Sequence, residues 1–283
     1  MTTSTTENRL NELSAPEWLK FTKTWFIHNP PRRKEEELLH PAKYPEDLIA
    51  EFIRFFTKTG AVVLDPFLGT GSTLVACYQT KRNGIGIELQ EKYAAIARKR
   101  ITKLESQVQL DTIGARQQSK QLIIRGDSQE LGSLSIKYEL PKIDLVITSP
   151  PYGPMLNKRG LVTTERAQKK FDLKYSEDRE DLGNAGSYQE FLQRLADIFI
   201  KIKPLLKEQA YLVVILQNYM DKGEYQTLAW DFAREMKPYY QLRGERLWCQ
   251  DNKTLYPYGY KYSFVPNVHH HYCLIFKNAR KEG

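Results

Sequence analysis

Four short apolar segments each end near a residue that can do polar chemistry. Asp65 follows AVVL, Glu88 stands in IGIEL, Asp127 follows LIIRG and Ser149 follows DLVIT. Carboxylates accept hydrogen bonds, so Glu88 can hold both hydroxyls of a ribose and Asp127 can hold an adenine amino group. Taken singly, each residue is better explained by a structural role, such as a solvated strand end or a helix cap. Three acidic or glycine-rich ends in succession are much less probable as an accident, and together they indicate a ligand site.

A glycine-rich loop follows the first of these segments, in DPFLGTGS (65–72). Gly69 and Gly71 let the backbone approach a ligand closely, and Ser72 or Thr73 is expected to cap the helix that follows. An ordinary strand-to-helix turn explains a lone G-x-G about equally well. The loop lacks the G-K-[ST] ending of a phosphate-binding loop, which argues against an NTPase.

Two prolines and a tyrosine follow Ser149, in TSPPY (148–152). Proline fixes φ and has no N–H to donate, so Pro150 and Pro151 predict a stiff, extended corner at the end of a strand. A proline-rich loop without a chemical role is the alternative for this motif alone.

The elements that must position these residues alternate along the chain. Strands are predicted at 61–65, 85–89, 121–127, 143–149, 210–219 and 269–278, and helices at 46–58, 72–80, 91–106 and 188–206. This alternation predicts an α/β fold with a doubly wound, mostly parallel sheet, in which ligands bind beyond the carboxyl ends of the strands. Residues 1–39 are expected to form an N-terminal extension, with the first 15 or so frayed.

Composition excludes several classes of protein. The 283 residues are 41% hydrophobic, and no run approaches the ~18 apolar residues of a membrane-spanning helix. The N-terminus is polar and has no apolar h-region, so a secretory signal is not expected. Three distant cysteines, Cys77, Cys249 and Cys273, predict a reducing cytoplasm rather than disulfides. Histidines 269–271 would alternate between two faces of a strand, which argues against a metal site. The net charge of +8 favours a polyanionic partner.

DPFLGTGS and TSPPY, in this spacing, resemble the motifs of amino-group DNA methyltransferases that use S-adenosylmethionine. HPAKYPEDLIAEFI (40–53) resembles the segment before their cofactor loop, and GIEL (86–89) resembles their ribose-binding strand. The resemblance implies a Rossmann-like methyltransferase domain over residues 40–283. It implies cofactor binding by Asp65, Phe67, Gly69, Gly71, Ser72, Glu88 and Asp127, and catalysis by Ser149, Pro150, Pro151 and Tyr152.

Methylation of an exocyclic amine explains the proline corner. The Ser149 hydroxyl and the Pro150 carbonyl can accept from the two N–H groups of the amine, and Tyr152 can stack on a base that has left the duplex. No cysteine follows a proline, as carbon-5 cytosine methylation would need, so the target atom is expected to be a nitrogen. In the family a serine before Pro-Pro-Tyr tends to accompany cytosine N4, which we favour over adenine N6.

The cofactor half (40–127) precedes the catalytic half (143–219), the reverse of the commonest order for these motifs. Target recognition then falls to residues 153–187 and 220–268, where 157–174 is basic and 251–264 interleaves tyrosines with lysines. The expected partners are double-stranded DNA and a possible cognate restriction enzyme, in a bacterial or phage cytoplasm, with no membrane. An RNA amino-methyltransferase and a non-catalytic DNA-binding module are the alternatives.

Overall fold

Eight strands form one mixed sheet with helices on both faces. The computed structural model describes residues 8–30, 44–111, 119–151, 182, 185–221 and 223–279. The strands of the sheet are β1 (Trp25–Ile27), β2 (Val62–Asp65), β3 (Asn83–Glu88), β4 (Gln121–Arg125), β5 (Ile143–Thr148), β6 (Leu206–Leu216), β9 (Gln241–Cys249) and β10 (His270–Lys277). A separate two-stranded hairpin contains β7 (Tyr219–Asp221) and β8 (Glu224–Gln226).

The strand order across the main sheet is β1-β9-β10-β6-β5-β2-β3-β4. β10 runs antiparallel to both of its neighbours, and the other neighbouring pairs are parallel. The predicted doubly wound, mostly parallel α/β fold is therefore confirmed. β2 and β5 lie side by side at the centre, so their carboxyl ends meet at the place where ligands bind in such sheets.

The helices cover the two faces of the sheet. They are α1 (Ala15–Phe21), α2 (Glu46–Phe56), α3 (Ser72–Gln79), α4 (Glu91–Asp111), α5 (Leu131–Lys137), α6 (Tyr188–Ile202) and α7 (Leu228–Met236). One core joins α1, α2 and α3 to one face, and a second core joins α5, α6 and α7 to the other.

Residues that are neighbours in a central strand belong to different cores, because side chains alternate across a strand. Leu145 packs into the core that contains α2, and Val146 packs into the core that contains α6. Val213 and Val214 divide in the same way on the neighbouring strand. Burial on both faces is the reason that these strands read as continuous apolar runs in the sequence.

The N-terminal region departs from its expected fraying. Asn11 is buried and donates its side-chain amide to the Phe55 carbonyl at 2.6 Å. The prediction of a frayed terminus is therefore wrong for residues 8–14, because this buried hydrogen bond anchors them to α2. β1 then pairs with β9, so the extension supplies an edge strand of the main sheet.

A buried arginine fixes this edge. The Arg246 guanidinium lies 4.0 Å from the centre of the Phe21 ring and 4.4 Å from that of Phe26. Its Nε donates to the Lys23 carbonyl at 3.0 Å. The two rings and the carbonyl come from the N-terminal region, so Arg246 joins that region to β9. Among the described residues, no helix is long and apolar enough to cross a lipid bilayer.

Candidate functional site

A cleft opens beyond the carboxyl ends of β2, β3, β4 and β5. It holds about 580 Å³ of empty space, counting the part that is open to solvent. Five of the residues singled out from the sequence line this cleft: Phe67, Glu88, Asp127, Ser149 and Pro151. The strand ends that were expected to share one crevice therefore do so.

Glu88 ties the tip of β3 to the glycine loop. Its Oε2 accepts from the Gly69 N–H at 2.8 Å, and its Oε1 accepts from the Gln90 N–H at 2.9 Å. The side chain is 9% exposed, so the carboxylate sits in the cleft wall and faces limited solvent. An acidic group held in this way is presented in one fixed orientation to whatever occupies the cleft.

The glycine loop needs its glycines for two separate reasons. Gly69 and Gly71 both have positive φ, at 54° and 90°, a region that residues with a Cβ rarely adopt. A Cβ on Gly71 would also lie only 2.9 Å from the Cβ of Ala97 in α4. Gly71 itself is the N-cap of α3, so the prediction that Ser72 or Thr73 caps this helix is wrong.

The Thr73 hydroxyl instead bonds to Asp65, which is the centre of a buried hydrogen-bond network. Oδ1 of Asp65 accepts from the Thr148 hydroxyl at 2.6 Å and from the Phe67 N–H at 3.0 Å. Oδ2 accepts from the Tyr44 hydroxyl at 2.6 Å and from the Thr73 hydroxyl. One carboxylate therefore joins the end of β2, the start of α3, the end of β5 and the segment before α2.

This network lies behind the cleft and does not line it. Asp65 is 0% exposed, and burial raises the pKa of its carboxyl group while its hydrogen bonds oppose that shift. Burial also raises the pKa of Tyr44 well above the usual value for a phenol, and the neighbouring Asp65 adds to this shift. Asp65 thus affects the cleft indirectly, by fixing the positions of the residues that are hydrogen-bonded to it. Ser72, another predicted cofactor residue, is buried at the first position of α3.

From the sequence, Tyr44 and Thr148 were given no role, and Thr73 was considered only as a helix cap. Thr148 stands inside the quoted TSPPY motif, and Thr73 directly follows DPFLGTGS. The available signal was a hydroxyl residue next to each motif, at a strand end and at a helix start. Such residues are common there as ordinary caps, so the signal does not distinguish a link between the two motifs.

Asp127 lies at the far side of the cleft, after β4. Its Oδ1 accepts from the Gln129 N–H at 2.8 Å, and its Oδ2 accepts from the Gln129 side-chain amide at 3.1 Å. The adjacent Ser128 donates its hydroxyl to the Pro66 carbonyl, which fixes the β4 end against the β2 end. The two acidic residues that line the cleft, Glu88 and Asp127, are thereby both held by hydrogen bonds from backbone N–H groups.

The proline corner follows β5 and reaches the same cleft. Ser149 is half-buried, Pro150 and Pro151 are buried, and Ser149 and Pro151 line the cleft. Tyr152 lies outside the described residues, as does nearly all of the candidate segment 153–187. Ser149 and Pro151 therefore lie in the same cleft as the acidic strand ends, Glu88 and Asp127.

Two of the cysteines and His271 pack against other side chains of the protein. Cys77 and Cys273 are buried, as expected for free thiols in a core. The His271 ring stacks on the Trp248 ring with 4.5 Å between centroids, and burial lowers the pKa of His271 to about 3. Within the described ranges, no group of three or more His, Cys, Asp or Glu side chains is arranged to hold a metal ion.

The N-terminal third of the chain matches a known protein family. Residues 2–99 match the DNA methylase family that comprises N6 and N4 methylases. The resemblance to amino-group DNA methyltransferases is thus confirmed. The DNA methylase match covers the glycine loop and Glu88, and it ends before Asp127 and the proline corner.

Individual relatives of this DNA methylase segment are type II methyltransferases. M.BglI of Bacillus subtilis is 37% identical over 91 residues, which are 32% of this chain and 26% of the relative. M.MjaI of Methanocaldococcus jannaschii is 33% identical over 91 residues, which are 32% of this chain and 30% of the relative. The chain thus matches less than a third of the length of either curated relative.

Solved structures align with most of the chain at low sequence identity. A methyltransferase from Pyrococcus furiosus aligns with 85% of this chain and 87% of its own chain, at 14% identity and a TM-score of 0.46. A likeness of this size carries no conclusion about activity. The geometry of the cleft and the DNA methylase segment carry the functional argument.

Proposed function

We propose that this protein is a site-specific DNA methyltransferase that uses S-adenosylmethionine to methylate an exocyclic amine of a base. The observation that carries the proposal is the shared cleft: Ser149, at the proline corner, lines it together with Glu88 and Asp127. A site for amine methylation needs a cofactor site and an amine-binding site in contact, and here the ends of adjacent strands supply both.

The residues of the cleft fit S-adenosylmethionine, which supplies an electrophilic methyl group when it is bound. A carboxylate at the tip of the second strand suits ribose hydroxyls, the role assigned to Glu88. Asp127 is assigned to the adenine amino group, and Phe67 to the apolar wall of the adenine site. Gly69 and Gly71 keep the loop close to the ligand, since a Cβ there would be strained.

The proline corner is assigned to the target amine. The lone pair of an exocyclic amine is delocalised into the base ring, so the amine has to be oriented toward the methyl group. The Ser149 hydroxyl and the Pro150 carbonyl accept from its two N–H groups, and the adjacent prolines reduce the conformational freedom of both acceptors. Tyr152 is assigned to the face of the base, which has to leave the duplex to reach the cleft.

We favour cytosine N4 over adenine N6 as the acceptor. The support is the residue type at the corner, because serine before Pro-Pro-Tyr tends to accompany cytosine in this family. The names of the relatives as type II methyltransferases support a role beside a restriction enzyme.

The test is methylation with tritium-labelled S-adenosylmethionine, offered with unmethylated genomic DNA and with total RNA separately. We expect the label in N4-methylcytosine from DNA, and its loss in Ser149→Ala and Tyr152→Ala with cofactor binding retained. Label in N6-methyladenine would keep the mechanism and change the base. Label only in RNA would refute the DNA assignment. Tight cofactor binding without label in either would leave a non-catalytic binding module.

A further inference from the structure

A long connection emerges at the same edge of the sheet as the proline corner. β9 runs in the same direction as β5 and ends at Cys249, and β10 begins at His270 after the turn. β10 is separated from β5 by β6 alone, and Leu274 of β10 is level with Thr148 at the β5 end. The start of β10 lies four residues beyond Leu274, so it is roughly 16 Å from the β5 end, at about 4.8 Å between strands and about 3.3 Å per residue. Residues 250–269 therefore leave the sheet at the same edge as the cleft.

The backbone of this connection is held by hydrogen bonds. The Gln250 N–H donates to the His269 carbonyl at 2.8 Å and closes its base. The Asn267 side chain donates to the Tyr256 carbonyl and accepts from the Tyr256 N–H, both at 2.9 Å. At the tip, Gly259 has φ +65°, and its carbonyl accepts from the Ser263 N–H at 2.9 Å. The connection is thus built as a folded turn.

The side chains at this turn are apolar and exposed. Tyr262 is 94% exposed, Phe264 is 90% exposed and Tyr260 is 68% exposed. We call these three residues the aromatic tip. Large apolar side chains gathered on an ordered turn mark a surface that contacts another molecule.

The charge around the aromatic tip favours a polyanion. Lys261 lies between Tyr260 and Tyr262, and its Nζ is 5.4 Å from the centre of the Tyr260 ring. Lys253 belongs to the same connection, and the carboxylate of Asp251 at its base accepts from the Asn29 side-chain amide at 2.6 Å. The whole chain carries +8. Two lysines are few for a surface that binds through phosphates alone, whereas three exposed rings suit stacking on bases, which is tolerant of sequence.

We propose that the aromatic tip contacts double-stranded DNA beside the target base and stacks on bases that are exposed when the duplex opens. The part of this inference that concerns base opening depends on the proposed function. Apolar side chains inserted at opened base steps are an established way for proteins to stabilise distorted DNA. The tip is suited to that task because its turn is already folded and needs little ordering on binding.

The experiment measures the affinity of the full chain for fluorescent duplexes of random sequence, one fully paired and one with a mispaired cytosine, over a series of salt concentrations. Tyr262→Ala and Phe264→Ala are each expected to weaken binding roughly ten-fold, with an unchanged salt slope, since stacking releases no counterions. Tyr262→Phe keeps the ring and should bind the duplexes with the affinity of the unaltered protein. Lys261→Ala should lower the salt slope by about 1.

Tyr239→Ala is the matched control, since Tyr239 is 39% exposed and lies just before β9, at the opposite edge of the sheet. It should bind both duplexes like the unaltered protein. The unaltered protein is expected to bind the mispaired duplex more tightly, because that duplex is easier to open. This preference should shrink in Tyr262→Ala and Phe264→Ala.

The proposal is overturned if the wild type binds neither duplex or if the alanine variants bind both like the wild type. It is also overturned if the variants lose only self-association in sedimentation, because the tip would then cover a second copy of the chain. DNA binding through the tip without any methylation would contradict the proposed function and leave the tip assignment standing.

Discussion

Thr148→Val is the most direct perturbation of the link between the two motifs. Thr148 donates its hydroxyl to Asp65 Oδ1 at 2.6 Å, and both side chains are 0% exposed. Valine has nearly the same shape, so the change removes a donor without opening a cavity. Among the described residues, Oδ1 of Asp65 then accepts only from the Phe67 N–H, because the Thr148 hydroxyl is gone.

Losing one buried hydrogen bond to a carboxylate costs about 1.5–3 kcal/mol. For a chain of this size, that corresponds to a fall in Tm of roughly 3–10 °C. Ser149 directly follows Thr148, so a shift of the strand end also moves the proposed amine acceptor. We expect kcat for methyl transfer to fall roughly ten- to hundred-fold. The dissociation constant for the cofactor should change much less.

Thr73→Val is the matched control. It removes a donor from the other oxygen of the same buried carboxylate, at the start of α3 and away from the corner. Melting by circular dichroism and single-turnover methylation should show similar losses of Tm for the two variants and a much larger loss of kcat for Thr148→Val. Thr148→Ser keeps the hydroxyl and should recover most of the rate. Equal effects of the two valine variants on kcat would refute Thr148 as a positioning residue.

Three further changes test the glycine loop, the acidic strand tip and His271. Gly71→Ala should destabilise by roughly 1–3 kcal/mol more than Gly60→Ala in chemical denaturation, because both have positive φ but only Gly71 closely approaches Ala97. Glu88→Gln should weaken cofactor binding about ten-fold by calorimetry, since an amide replaces a carboxylate acceptor. Burial lowers the pKa of His271 from 6.5 to about 3, so the unfolded state takes up the proton first as pH falls. Stability should therefore be lost below pH 6.5, by at most about 1.4 kcal/mol per pH unit, and His271→Phe should flatten this slope.

The central strands and the strand ends were predictable from sequence, because both depend on local patterns. Val146 and its neighbours form a continuous apolar run, which is typical of a strand buried on both faces. Glu88, Asp127 and Ser149 follow such runs directly, and parallel strands place their carboxyl ends at one edge. Their convergence in one cleft therefore needed only the order of the elements.

The edge strand β1, its neighbour β9 and the Asp65 network were not predictable in the same way. β1 has three residues, and β9 contains charged residues and Gly244, so neither carries a clear apolar alternation. β1 is held in place by packing around Arg246, a contact across more than 200 positions of the chain. The bond between Thr148 and Asp65 spans 83 positions, and neither residue type specifies the other as its partner.

The Asp65 network explains why the order of the two motifs along the chain matters little. The DPF motif contributes the carboxylate at the end of β2, and the threonine before the proline corner contributes a donor at the end of β5. These strands are neighbours in the sheet, so the contact requires adjacency in space and places no condition on which strand comes first. A chain that presents the cofactor half before the catalytic half can therefore build the same site. The connections at the same edge, including residues 250–269, are then available to contact DNA.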